Sequence, residues 1–288
     1  MTKSMTAFAR ETATTEQGEL TWELRSVNHR FLEPFVRLPE DIRGLEPAVR
    51  ERVAARLGRG KVDCSLRYAP TPGADGQLRL NRHYLEQLLA VGAEVATLVG
   101  GSADPSAFEL LRWPGVLQEE EKDLTAIEVQ AVNLLNTALD SLVATREREG
   151  ARLAELIRER CQSLFAKVAA VRQRMPNVLA AVRQRLMDRL AEVRAELDPS
   201  RLEQELVLLA QRLDVDEEMD RLAAHVEEVM KVLQSRGPIG RRLDFLMQEL
   251  NREANTLGSK SADVDVTRLA VDMKVLIEQM REQVQNIE

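Results

Sequence analysis

Two groups of chemically able side chains stand out late in the sequence. In DEEMDRLAAHVEEVMKVL, Glu218, Arg221, His225 and Glu228 follow steps of three, four and three. That spacing sets them along one flank of a helix whose core stripe is Met219, Leu222, Val226, Val229 and Leu233. An imidazole bracketed by carboxylates and a guanidinium, at the edge of a buried seam, suits acid–base chemistry or metal binding. An ordinary salt-bridged helix flank gives the same pattern.

The second group lies in GRRLDFLMQELNREANTLGSKS, residues 240–261. Leu243, Leu246, Leu250, Ala254 and Leu257 make an apolar stripe. Asp244, Gln248, Asn251 and Asn255 share one flank, and Glu249 and Glu253 another. Carboxylates hold divalent cations, and Asn and Gln amides bind phosphate, sugar or base edges. Arg241 and Arg242, at the expected helix start, can grip phosphate bidentately. A polar network between helices is the structural alternative.

Two further sets are basic. In RSVNHRF, Arg25, Asn28, His29 and Arg30 crowd a strand junction from which they could meet a phosphodiester backbone, and His29 equally fits a structural turn. LGRGKV adds Arg59 and Lys61, but it lacks the full phosphate-loop pattern, so nucleotide binding is rejected there. Between Arg146 and Arg189, eleven Lys/Arg face five Asp/Glu, and Arg152, Arg158 and Arg172 could line a polyanion channel. A solvated helix is the usual source of such a run.

The elements that must position these groups divide into two styles. SMTAFARET, ELTWELRSV, RFLEPFVRL and KVDCSLRYA read as strands. Ile42, Leu45, Val49, Val53 and Leu57 form a helical stripe before the last of them, with Pro47 near the helix start. The fold class is therefore α+β: a small N-terminal α/β domain with a mixed or antiparallel sheet, then long helices and a C-terminal helical domain. Division is expected at residues 1–100, 101–200 and 201–288. PTPGADGQ reads as a loop, and a helix runs from about Asn81 to Val99. Helical pattern continues from Ile127 to Met175, with Gly150 a weak point and Pro176 a punctuation mark. Further helices are expected near Val178–Leu197, Arg201–Arg212, Glu217–Ser235, Ile239–Asn255 and Val266–Gln285. The last bears a narrow seam suited to a helix of the same or another subunit.

Composition sets the outer limits. The chain has 288 residues, 44% hydrophobic and 30% charged, with a net charge of −7. The acidic total disfavours a nucleic-acid binder, but a chain acidic overall can still present a basic surface. Aromatics make only 3%, which argues against an aromatic single-strand platform and favours structured RNA held through phosphates and 2′-hydroxyls. There is no membrane-length apolar run and no apolar signal core, so the protein is expected in the cytoplasm, with no membrane partner. Cys64 and Cys161 lack metal-ligand spacing and read as buried thiols.

SMTAFAR, SVNHRFLE, IRGLEPAVRERV, RGKV, REREGARL, DRLAAHVEEV, the 240–261 block and LAVDMKVLIEQMREQVQNIE, in order along the chain, resemble the YicC/YloC family of bacterial proteins. Ala7 and Ala9 stand where many relatives carry glycine. The resemblance implies an endoribonuclease acting on single-stranded or hairpin-containing RNA. It also implies help from a divalent cation (Mn2+ or Mg2+), no organic cofactor, and a ring-like homo-hexamer that opens to admit RNA. It adds weight to Glu218, Arg221, His225, Asp244, Glu249 and Glu253.

Two mechanisms follow. In one, Glu218, Asp244 and Glu253 hold a metal, with Glu249 beside them, and hydrolysis leaves a 5′-phosphate. In the other, His225 is the general base on the ribose 2′-hydroxyl and an arginine, Arg241 or Arg242, stabilises the phosphorane, leaving a cyclic phosphate. The carboxylate count favours the first. On the binding side stand Arg25, Asn28, His29, Arg30, Arg59, Lys61, Arg152, Asn251 and Asn255. A non-catalytic RNA scaffold that presents RNA to another nuclease is the rival class.

Overall fold

A computed structural model describes residues 2–71, 79–101, 105–118, 124–192, 199–235 and 237–288. Most of the expected PTPGADGQ loop, parts of the 102–123 linker and the start of LDPS lie outside the described residues.

Strands β1 (Ala7–Thr14), β2 (Gly18–Val27), β3 (Leu32–Arg37) and β4 (Gly60–Pro70) form one sheet in the order β1-β2-β4-β3. The pairs β1–β2 and β2–β4 are antiparallel and β3–β4 is parallel, so the sheet is mixed. The parallel pair needs a crossover, supplied by a 3-10 turn (Glu40–Leu45) and helix α1 (Glu46–Arg56). Leu20, Trp22, Leu24, Val62, Cys64 and Leu66 alternate inward against Ile42, Val49 and Val53. Trp22 donates its indole N–H to the Ala131 carbonyl at 2.8 Å, which ties the sheet to the next long helix.

Two short strands, β5 (Arg79–Leu80) and β6 (Leu117–Gln118), pair around helices α2 (Arg82–Val99) and α3 (Ala107–Arg112). Asn81 caps α2 by accepting from the Tyr84 amide. No residue of α2 is buried, so the helix stands apart from the sheet it follows in sequence.

The dominant element is α4 (Thr125–Glu192), 68 residues and about 100 Å long at 1.5 Å per residue. Ile127, Leu135, Leu139 and Leu142 pack under the N-terminal sheet. Leu153, Ile157, Leu164 and Val171 pack in the C-terminal core. One helix thus serves both cores, and residues 101–200 do not form a separate one among the described residues. Neither expected interruption breaks it. Pro176 lies inside the helix, where it removes a single backbone donor while packing holds the flanking turns. Gly150 is a point of close approach: a Cβ there would meet the Thr2 carbonyl oxygen at 2.2 Å.

Helices α5 (Pro199–Leu213), α6 (Asp216–Val232), α7 (Gly240–Lys260) and α8 (Val264–Val284) complete the chain. The stripes of α6 and α7 are buried as their spacing requires. Met273, Ile277, Met280 and Val284 of α8 pack in the same core as α4, α6 and α7, so its seam is filled within the chain. The two ends then meet. Ser4 bridges Ile287, Met5 N–H donates to the Asn286 carbonyl at 2.7 Å and Glu288 N–H to that of Lys3 at 3.0 Å.

Candidate active site

Helices α6 and α7 lie side by side with their polar flanks in opposed order. Lys260 Nζ donates to Glu218 Oε1 at 2.9 Å and to the Asp214 carbonyl at 3.0 Å. Arg221 reaches Glu253 at 3.6 Å and its own-helix neighbour Glu217 at 2.8 Å. Arg242 pairs with Glu228. As the chain ascends α6 it descends α7, so the ladder is antiparallel. The flank read from α6 is therefore a contact surface, and its partners are the carboxylates and cations of α7.

In the middle of the ladder stand His225, Glu249 and Glu253. One ligand atom from each lies within 4.8 Å of the others, the group of three metal-capable side chains found among the described residues. Glu253 is buried, and His225 and Glu249 are half-buried. The two glutamates stand four positions apart, so α7 projects both from one face toward the α6 imidazole. An imidazole nitrogen and two carboxylate oxygens at this range fit a divalent cation that takes mixed N and O donors. The same three groups fit proton transfer, since an adjacent carboxylate can orient an imidazole.

Other candidates are placed elsewhere. Glu218 is buried and engaged by Lys260, while its Oε2 has no hydrogen-bond partner. Asp244 accepts from Gln248 at 3.0 Å, and Asn255 donates to Asn251 at 3.4 Å, all on the exposed side of α7. Neither Glu218 nor Asp244 joins the three-residue cluster. Arg241 and Arg242 part company: Arg242 closes the ladder, and Arg241 lines a pocket at the junction with the N-terminal domain. That pocket also holds Arg30 and Arg59. His29 Nδ1 lies 3.2 Å from the Phe31 carbonyl and 3.6 Å from Glu33, a turn contact. Asn28 is exposed beside it, and Arg152 is exposed on α4.

Arg25 and Lys61 lie on the outer face of the sheet. Arg25 falls in one cross-strand row with Phe8, Asp63 and Phe35. Phe8 and Phe35 are exposed, so this row sets two outward phenylalanines beside Arg25. Low aromatic content concealed this row; the alternation of each strand contained it. Lys260 and Arg221 were the other signals to use, because a lone lysine closing a flank of acids and amides marks an ion-pair partner.

No described helix is long and apolar enough to cross a membrane. Residues 2–155 match the N-terminal region of the YicC-like endoribonucleases, and residues 171–288 match their C-terminal region. A protein of Haemophilus influenzae named "Probable endoribonuclease YicC" is 46% identical over 288 residues, covering the whole of both chains. A protein of the same name from Clostridioides difficile is 32% identical over 295 residues, again end to end. The chain belongs to the YicC-like endoribonuclease family.

Proposed function

We propose that the protein is an endoribonuclease that cuts single-stranded or hairpin-containing RNA at the His225–Glu249–Glu253 cluster. The approach of these three ligand atoms to within 4.8 Å carries the reading. The cluster would hold Mn2+ or Mg2+, and such an ion supplies Lewis acidity toward a phosphoryl oxygen and a more acidic bound water. The chain's own groups do the rest. Glu253, buried and braced by Arg221, fixes the floor of the site. Half-buried Glu249 is open to accept a proton from an incoming nucleophile, and His225 can hold or return one.

A metal-independent route uses His225 as base on the 2′-hydroxyl. Its two neighbouring carboxylates support that reading. A labelled hairpin RNA, incubated with and without Mn2+ or Mg2+ and with chelator, separates the routes by its product ends. Metal-dependent 5′-phosphates lost in Glu249→Ala support the first. Chelator-resistant cyclic phosphates lost in His225→Ala support the second. Tight RNA binding without cutting by the parent protein would leave only a scaffold.

The working form is a cytoplasmic homo-oligomer, a ring-like hexamer by family resemblance. Support comes from α2, whose Leu89, Val91, Val95, Leu98 and Val99 are exposed among the described residues. Mass photometry of the parent and Leu98→Asp checks it: a monomeric parent defeats the oligomer.

A further inference from the structure

A pocket of about 710 Å3 opens where the N-terminal sheet, α4 and the start of α7 meet. Its size falls in the range that holds small ligands or nucleotides. Its lining is strongly one-sided in charge, with five arginines and a lysine against Glu288. Two of these cations are compensated, Lys3 by Glu147 at 3.1 Å and Arg56 by Asp140. Among the described residues, Arg30, Arg59 and Arg241 have no carboxylate partner. Arg59 is instead aimed by donating its Nε–H to the His29 carbonyl at 2.8 Å, and Arg30 lies over the Phe31 ring at 5.2 Å.

Arg146 also lines the pocket. Its side chain is 1% exposed, yet it is charged chemistry in a place that disfavours charge. Nε donates to the Ser4 carbonyl at 2.6 Å, and Nη2 reaches Glu288 at 3.1 Å and the Arg59 carbonyl at 3.3 Å. Nη1 is buried with no partner. Burial pushes the Arg146 pKa down, and the Glu288 carboxylate opposes that push. A staple between chain ends would explain the first three contacts. It would not explain an unused donor in a pocket whose Arg30, Arg59 and Arg241 lack carboxylate partners.

We propose that this pocket binds a phosphate group carried by a nucleotide, with Arg30, Arg59 and Arg241 gripping the phosphate, Arg146 adding its charge from the buried wall, and the exposed Phe31 ring meeting the base. It needs no loop amides, so the missing phosphate-loop pattern in LGRGKV does not count against it. Arg241 lies about 12 Å along the α7 axis from Glu249, at 1.5 Å per residue. The pocket is thus a site apart from the acidic cluster. It deepens the ribonuclease reading, and rests on it, where the nucleotide belongs to the RNA substrate; a free nucleotide would use the same chemistry.

Calorimetry on the full chain in chelator tests it with three probes: a 2′-O-methyl hexanucleotide, AMP and inorganic phosphate. Nucleotide affinity should fall at least tenfold in Arg30→Met/Arg241→Met, both exposed positions that leave the Arg146 contacts intact. Phe31→Ala should weaken it about threefold. Mn2+ titration of the double variant should match the parent and so certify the fold. Loss for the hexanucleotide alone assigns the pocket to RNA, and equal loss for equally tight AMP assigns it to a free nucleotide; either sustains the proposal. No binding by the parent, unchanged affinities in the double variant, or inorganic phosphate binding as tightly as AMP would overturn it. A parent that binds through these arginines but cuts no hairpin would sink the ribonuclease reading alone.

Discussion

The α6–α7 ladder and the junction pocket handle charge in opposite ways. On the ladder nearly every acid meets a cation: Glu218 meets Lys260, Glu253 meets Arg221 and Glu228 meets Arg242. Two acids of α7 can then be held close beside His225 with part of their charge balanced by neighbouring cations. In the pocket three guanidiniums lack such partners, and a fourth is buried with an idle donor. Uncompensated charge raises local potential and attracts the opposite sign. The comparison separates a place that organises chemistry from a place that recruits an anion.

The largest expected effect comes from breaking the ladder at its centre. Glu253→Gln and Glu249→Ala should each lower hairpin cleavage about 100-fold or more, with RNA affinity within about twofold of the parent. Gel-based cleavage beside filter binding reads both. Loss of affinity or assembly in step with cleavage would merge the two regions into one structural unit.

Next is the backbone of Thr2 and Lys3 behind the pocket, where Lys3 lines it. Gly150→Ala places a Cβ against the Thr2 carbonyl and Lys3, with no flexible side chain to yield. Overpacking of this kind costs about 1–3 kcal/mol. Equilibrium urea unfolding should show it, together with weaker nucleotide binding and unaltered Mn2+ binding. An unchanged urea midpoint would mean that the chain ends sit more loosely than the pocket requires.

Two smaller effects serve as controls away from both regions. Asp263 caps α8 by accepting from the Asp265 and Val266 amides and is bound by Arg174. The Arg174 guanidinium, with the Val266 amide, holds its carboxyl at about 2, below the ordinary 3.8. A carboxyl lowered on folding stabilises above its unfolded pKa. That contribution is therefore complete above about pH 4 and lost as pH falls from 4 toward 2. Asp263→Asn keeps the cap and removes the ion pair, so it should cost no more than about 1 kcal/mol at neutral pH, and melting curves of parent and variant should converge across that window. A constant gap at every pH would remove the ion pair from the account.

The least effect concerns the two thiols, one in each core. Burial pushes both Cys64 and Cys161 up to about 12, so both are protonated at neutral pH. Ellman's reagent should label neither until the surrounding core opens. Rapid labelling of Cys161 in folded protein would show the C-terminal core to be the looser of the two.

Much of this was legible from spacing. The stripes of α6 and α7 are buried position for position, and the flank through Glu218, Arg221 and His225 is the one that meets α7. Helical periodicity is local, so a single chain displays it. The interruptions at Gly150 and Pro176 were misread because propensity is also local, and packing on α6 and α8 outweighs it in α4. Arg241 and Arg242 look equivalent as neighbours. One residue turns the side chain by about 100° on a helix of 3.6 residues per turn, enough to send one to the ladder and the other to the pocket.

By itself the sequence determined the element types, the buried stripes, the polar flank of each helix and the family. Tertiary structure decided which flanks face each other and which residues distant along the chain share a site. His225 and Glu249 meet because two helices run antiparallel, and Arg30, Arg146 and Arg241 meet because residues 3–5 pair with residues 286–288 beside α4. The physical reason is the range of the forces. Backbone hydrogen bonding and amphipathic burial act within a few residues and leave a periodic record. Pairing of chain ends and helix flanks depends on the closure of both cores, which no local pattern encodes.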